Sequence, residues 1–134
     1  RLHMIDLKSL KAKVTILSIV PSLDTPTCDK QTHILSEENK GLDKTANLIT
    51  ISRDLPFAQK RFAKEAKINN IKFLSDYRDA EFGKLSGLLI EENRLLARAV
   101  FVLDQNGIIR YIEIVSELAK LPDMEKAMEF ARSL

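Results

Sequence analysis

Two short runs constrain this chain more than anything else in it. Residues 13–20 (KVTILSIV) and 46–52 (ANLITIS) are nearly continuous in apolar or β-branched side chains, without the alternation of a half-solvated strand. Such runs read as strands covered on both faces, which places them in the middle of a sheet with other elements packed above and below. Between them Cys28, Thr32, Ile34 and Leu35 recur at roughly helical spacing from Cys28 to about Lys40, with Gly41 as the stop. Strand, helix and strand in that order make a crossover.

The pattern then repeats and changes. Asp54 precedes Pro56, and Ala58, Phe62 and Ala66 follow at i, i+4 and i+8, so a second helix starts with Pro56 in its first turn. IKFL (71–74) reads as a short third strand, and residues 80–85 as a short helix after the polar SDYRD. ARAVFVLDQNGIIRYIEI (97–114) sets two β-rich runs about Asp104 to Gly107, the pattern of an antiparallel hairpin. Pro122 opens a closing helix in which Met124, Ala127, Met128 and Ala131 share one apolar face. Two crossovers followed by a hairpin and a helix predict an α/β chain with a thioredoxin-like fold: a central mixed β-sheet flanked by helices on both faces.

A length of 134 residues suits a single domain over 1–134. Lys and Arg number 21 against 19 Asp and Glu, interspersed rather than in blocks, so the charge points to no nucleic-acid or membrane partner. No apolar run approaches the ~20 residues of a bilayer span. The one cysteine closes no disulfide within the chain, and no Cys/His cluster has metal-ligand spacing. No metal and no cofactor is expected, and a reducing, cytoplasmic setting is.

That cysteine is the main candidate for chemistry. Cys28 lies where the first strand hands over to a helix, the usual ligand crevice of an open α/β sheet. The unpaired N–H groups of a helix start favour thiolate by about 1 kcal/mol, too little alone, so a second cation is needed. Lone cysteines are more often buried and inert, but the flanks here are unusual. Pro21 and Pro26 stiffen the turn, and Thr25, three residues before the thiol, is placed to aim its hydroxyl at whatever the sulfur attacks or to cap the helix. Arg98 interrupts an apolar strand. It is either the missing cation or an edge-strand residue paired with a surface carboxylate such as Asp76 or Glu92. His33, inside a helix with no second ligand near it, reads as a surface residue, and His3 falls in the N-terminal RLHM. No dinucleotide, phosphate-loop or zinc-protease motif is present.

PSLDTPTC (21–28) resembles the peroxiredoxin active-site pattern of Pro, three residues, Thr, two residues and Cys, matched by Pro21, Thr25 and Cys28. With it, DLPFAQKRF (54–62), LLARAVFVLDQNG (95–107) and DMEKAMEFA (123–131) resemble the thiol peroxidase branch, the atypical two-cysteine peroxiredoxins, from about Val14 to the C-terminus. The resemblance implies a peroxidase reducing hydrogen peroxide and alkyl hydroperoxides. By it, Cys28 is the attacking thiol that passes through a sulfenic acid, Thr25 the hydroxyl that binds peroxide, Pro21 the wall of the pocket, and Arg98 the cation on thiolate and peroxide oxygen. It further implies thioredoxin or another thiol as reductant, and a homodimer. The rival reading is a redox-sensing or binding module with little turnover; a thiol-disulfide oxidoreductase is disfavoured because there is no Cys-x-x-Cys. Two departures stand out. The branch's resolving cysteine falls at Ala63, which is either natural, with the sulfenic acid reduced by an outside thiol, or a replacement. Only some dozen residues precede Val14, so the branch's N-terminal segment is expected to be lacking.

Overall fold

The computed structural model describes residues 13–77, 81–90, 94–115 and 120–134. In chain order these form β1 (Val14–Ile19), α1 (Pro26–Glu37), a 3-10 turn (Leu42–Lys44), β2 (Ala46–Ser52), α2 (Pro56–Glu65), β3 (Lys72–Ser75), α3 (Glu81–Ser86), β4 (Leu89–Ile90), β5 (Leu95–Leu96), β6 (Arg98–Leu103), β7 (Ile109–Val115) and α4 (Met124–Arg132). The five-stranded sheet has the order β3-β2-β1-β6-β7. All six residues of β1 are buried, as the unbroken apolar run requires. β2 lies parallel on one side of β1, and β6 antiparallel on the other. The sheet is therefore mixed, with its two most hydrophobic crossover strands adjacent.

Each face of β1 feeds a separate core. On one, Ile16, Leu48, Val100 and Val102 pack with Leu35 of α1 and with Met124, Ala127, Met128 and Ala131 of α4; Phe62 and Ala66 of α2 join its margin. Each fully buried aliphatic chain of this kind contributes about 2 kcal/mol. α1 and α2 share this face because the crossovers β1 to β2 and β2 to β3 advance in one direction, and right-handed connections then put both helices on the same side. On the other face Leu17, Ile19, Ile51 and Phe101 are covered by Leu88 and Leu96. Here α3 comes close enough that a Cβ on Gly83 would stand 2.8 Å from Leu96 Cδ2. Among the described residues helices flank both faces, three on one and one short helix on the other.

The differences from the sequence reading are local. α1 begins two residues earlier than expected, because Pro26 fits the first helical position and Thr25 caps it. It ends at Glu37, before Gly41, which at φ +84° opens the 3-10 turn instead of terminating the helix. β4 and β5 pair as a two-residue ribbon too short to show any periodicity. The hairpin of β6 and β7 forms as expected, with a register shift between Val102 and Leu103. In its turn Asp104 Oδ1 accepts the N–H groups of Asn106 and Ile108 at 2.9 and 3.1 Å. Those backbone donors, Ile108 foremost, hold the Asp104 carboxyl below its ordinary value of 3.8 against an opposing contribution from burial, helped by Arg110 at 3.3 Å.

Candidate active site

The turn after β1 is fixed from both ends. Val20 N–H donates to Ile51 O at 3.0 Å, carrying the sheet register one residue past β1, and the buried Pro21 follows. Thr25 then closes the turn, with its N–H on Ser22 O at 3.3 Å and its hydroxyl donating to the same oxygen at 3.1 Å. Its Oγ1 also accepts the Cys28 N–H at 3.4 Å. In extended conformation (φ −105°, ψ 147°), Thr25 is the N-cap of α1.

A carboxylate reaches in to tie this turn to the sheet. Asp54 accepts Ser22 Oγ and Leu23 N–H, both at 2.8 Å, and Ser52 Oγ at 2.8 Å. Ser52 Oγ in turn accepts from the buried Gln59 Nε2 at 3.0 Å, and Gln59 also donates to Leu74 O at 2.7 Å. Asp54, which sequence marks as the approach to α2, leaves the capping position to Leu55 and spends its side chain on the cysteine's turn. The signal available in sequence was a lone acidic residue before Leu-Pro, which does not reveal its direction.

Cys28 is fully buried in the first turn of α1, in a cluster with Val20 and Leu23 against Phe62 and Phe73. Thr32 Oγ1 bonds its carbonyl at 2.8 Å, tightening the helix beneath it. One turn on, the buried face of α1 carries Gln31, a residue the sequence reading passed over. Gln31 Oε1 accepts Arg98 Nη1 at 2.9 Å, while its Nε2 donates to Ser18 Oγ at 2.8 Å and to Ala99 O at 3.5 Å. An amide on an i+3 spacing from the thiol, on an otherwise buried face, was the sequence signal.

Arg98 is 1% exposed. β6 lies inside the sheet between β1 and β7, so the edge-strand alternative is set aside. Arg98 opens β6, paired with Val115 and immediately before Ala99, which pairs with Ile19, and so lies at the same end of the sheet as Val20 and the cysteine's turn. Of the two carboxylates weighed as partners, Asp76 accepts the Gly83 N–H at 2.8 Å and Glu92 lies outside the described residues. The fold thus brings Pro21, Thr25 and Cys28 together in one stretch and joins Arg98 to the cysteine's helix through Gln31.

The remaining candidates fall around this centre. His33 lies at the surface as expected, partly covered: Nε2 stands 3.2 Å from Asp29, Nδ1 2.7 Å from Glu37, and its ring meets Phe62 edge-on at 6.4 Å. His3 lies outside the described residues. Ala63 follows Phe62 on α2, beside the cover over Cys28. Among the described residues no group of three or more His, Cys, Asp or Glu side chains is arranged to hold a metal ion. No described helix is long and apolar enough to cross a membrane.

Comparison with known proteins places the chain in a family. The family model described as Redoxin matches residues 2–128. A thiol peroxidase of Halalkalibacterium halodurans is 49% identical over 132 residues, covering 98% of this chain and 79% of that one. A thiol peroxidase of Bacillus subtilis is 49% identical over 128 residues, covering 96% and 76%. Among solved structures, a peroxiredoxin-like protein from Aquifex aeolicus superimposes with a TM-score of 0.85 at 35% identity, covering 92% of this chain and 72% of that one.

Proposed function

The chain belongs to the Redoxin family, and from that premise we propose that it works as a thiol peroxidase whose attacking group is Cys28. The observation that carries the assignment is the setting of its only thiol: fully buried at the start of α1, with its N–H on the Thr25 hydroxyl. The protein is a thiol-dependent peroxidase, so its substrates are a peroxide and a reducing thiol.

In the proposed first step the Cys28 thiolate attacks one oxygen of the peroxide in line with the O–O bond. A sulfur–oxygen bond forms, the O–O bond breaks, and the second oxygen leaves as alkoxide or hydroxide that takes up a proton. Arg98, held by Gln31 at 2.9 Å, supplies positive charge at the end of the sheet where the oxygen departs. The positive end of α1 adds to it. Thr25, whose Oγ1 already accepts the Cys28 N–H, keeps the sulfur in place. Pro21 walls the site. Cys28 then carries a sulfenic acid, which an external thiol reduces, since position 63 holds alanine and the chain has no second cysteine. Thioredoxin is the proposed physiological donor, a homodimer the proposed state, and the cytoplasm the proposed location.

Stoichiometric peroxide followed by intact mass analysis tests this. One oxygen should be added at Cys28 within seconds, excess peroxide should carry it to the sulfinic acid, and Cys28→Ser should abolish both. A Cys28 that reacts no faster than free cysteine would sink the assignment. Steady turnover with a reducing thiol separates an enzyme from a sensor that is oxidised once.

A further inference from the structure

We propose that the opening between α1 and α2 selects the regenerating thiol by charge, admitting cationic and neutral thiols and disfavouring anionic ones. This rests on the peroxidase reading and adds to it the class of reductant. Oxidised Cys28 must meet a second sulfur, yet Cys28 is fully covered. Two of the residues covering it, Leu23 and Phe62, have a second face: they line a cavity of about 540 Å3 between the first turns of α1 and the end of α2. Thr25, which holds the Cys28 N–H, lines it too. The roof over the sulfur is therefore the floor of this cavity, and a displacement of the Leu23 and Phe62 side chains connects the two.

The walls above that floor are acidic. Asp24, Asp29 and Glu65 all line the cavity, and among the described residues its lining has no Lys or Arg. The remaining ionisable group among the described lining residues is His33, whose two ring nitrogens are held by Asp29 at 3.2 Å and by Glu37 at 2.7 Å. A thiol descending to Leu23 and Phe62 thus passes three carboxylates. At a solvent-open mouth such a set biases passage by roughly tenfold between a cation and an anion at low ionic strength, a bias that salt removes.

Two equivalents of thiol complete the reduction. The thiolate sulfur attacks the Cys28 sulfur, an S–S bond forms, and the S–O bond breaks. Hydroxide leaves and is protonated to water. A second thiolate then attacks the outer sulfur, releasing the oxidised reductant as its disulfide and restoring the Cys28 thiolate.

The test uses three small probes: cysteamine (cationic), 2-mercaptoethanol (neutral) and 2-mercaptoethanesulfonate (anionic). The protein is first oxidised with one equivalent of peroxide, and the added oxygen is confirmed by mass, so that a failure of the peroxidase reading shows here and not in the second step. Stopped-flow rates of mixed-disulfide formation are then compared per thiolate present. Cysteamine should exceed mercaptoethanesulfonate by roughly tenfold at about 0.01 M salt and converge on it near 1 M. In Asp24→Asn/Asp29→Asn/Glu65→Gln the gap should close at low salt. Equal rates for the two charged probes at low salt, or a gap that survives the triple substitution in protein whose circular dichroism is native, would overturn the proposal. The salt series needs only the unmodified protein, so it stands even where the triple variant folds poorly.

Discussion

Replacing Asp54 by Ala removes the side-chain tie between the cysteine's turn and the sheet without touching the cysteine. The carboxylate takes up three groups, Ser22 Oγ, Leu23 N–H and Ser52 Oγ, all at 2.8 Å and all part-buried. At a net contribution near 1 kcal/mol each, the loss amounts to about 2–3 kcal/mol. Unfolding entropy of roughly 2.1 cal/mol/K per residue gives about 0.28 kcal/mol/K for this chain, so Tm should fall by about 7–11 °C. Because the turn sets where the Thr25 hydroxyl and the Cys28 N–H meet, the second-order rate of Cys28 oxidation should fall as well, by about tenfold. The two are measured independently, by thermal melting and by stopped-flow oxidation at a temperature where both proteins are folded. Asp54→Asn, which keeps one acceptor oxygen, should lie between. A variant that melts lower yet oxidises at the unmodified rate would show that Asp54 serves the fold and not the thiol; one that changes neither would refute the reasoning altogether.

Gln31→Leu removes the acceptor of Arg98 and the donor to Ser18 while keeping the volume; it should cost about 2–3 kcal/mol in denaturant unfolding and slow oxidation, with Gln31→Glu restoring the rate, and an unslowed Leu variant removes Gln31 from the positioning of Arg98. Ala63→Cys puts a thiol beside Phe62, which covers Cys28, so one equivalent of peroxide should yield a disulfide between positions 28 and 63 in a non-reducing peptide map; sulfenic acid persisting at Cys28 with an unpaired thiol at 63 would contradict this. The Asp104 carboxyl, held low chiefly by the Ile108 N–H, stabilises the hairpin at pH above the ordinary value of 3.8, and that contribution is lost as pH falls through its lower folded value. The urea midpoint of the unmodified protein should therefore exceed that of Asp104→Asn at neutral pH, and the difference should shrink below pH 3.8; a difference independent of pH would mean the charge is not involved.

Much of the fold was legible because its signals are local and repeated. Residues 13–20 and 46–52 announce buried strands through unbroken β-branched composition, and both are buried strands in the structure. The hairpin shows in the turn at Asp104 to Gly107, and α4 in Met124, Ala127, Met128 and Ala131, all buried. What sequence did not give is contact between distant stretches. Asp54 and Ser22 are far apart in the chain, as are Gln31 and Arg98, and no spacing rule joins them. Position near a helix start does not reveal where a side chain goes either: Asp54 precedes α2, yet its carboxylate bonds the neighbouring turn and Leu55 takes the capping position. Arg98 was ambiguous until strand order put β6 inside the sheet.

β1, every residue of which is buried between β2 and β6, bears on how the site moves. Amides in such a strand exchange with solvent only when the whole protein opens, whereas helix ends and loops exchange through small, frequent excursions. The cysteine's turn is bolted to the slow end of that scale by the Val20 to Ile51 bond. Access to Cys28 must therefore come from the fast end: fraying of the first turn of α1, or a swing of Phe62 on α2. Deuterium uptake should rise at residues 25–29 and 60–66 when the thiol is oxidised, while β1 keeps its protection, so that the enzyme opens its door without loosening the frame.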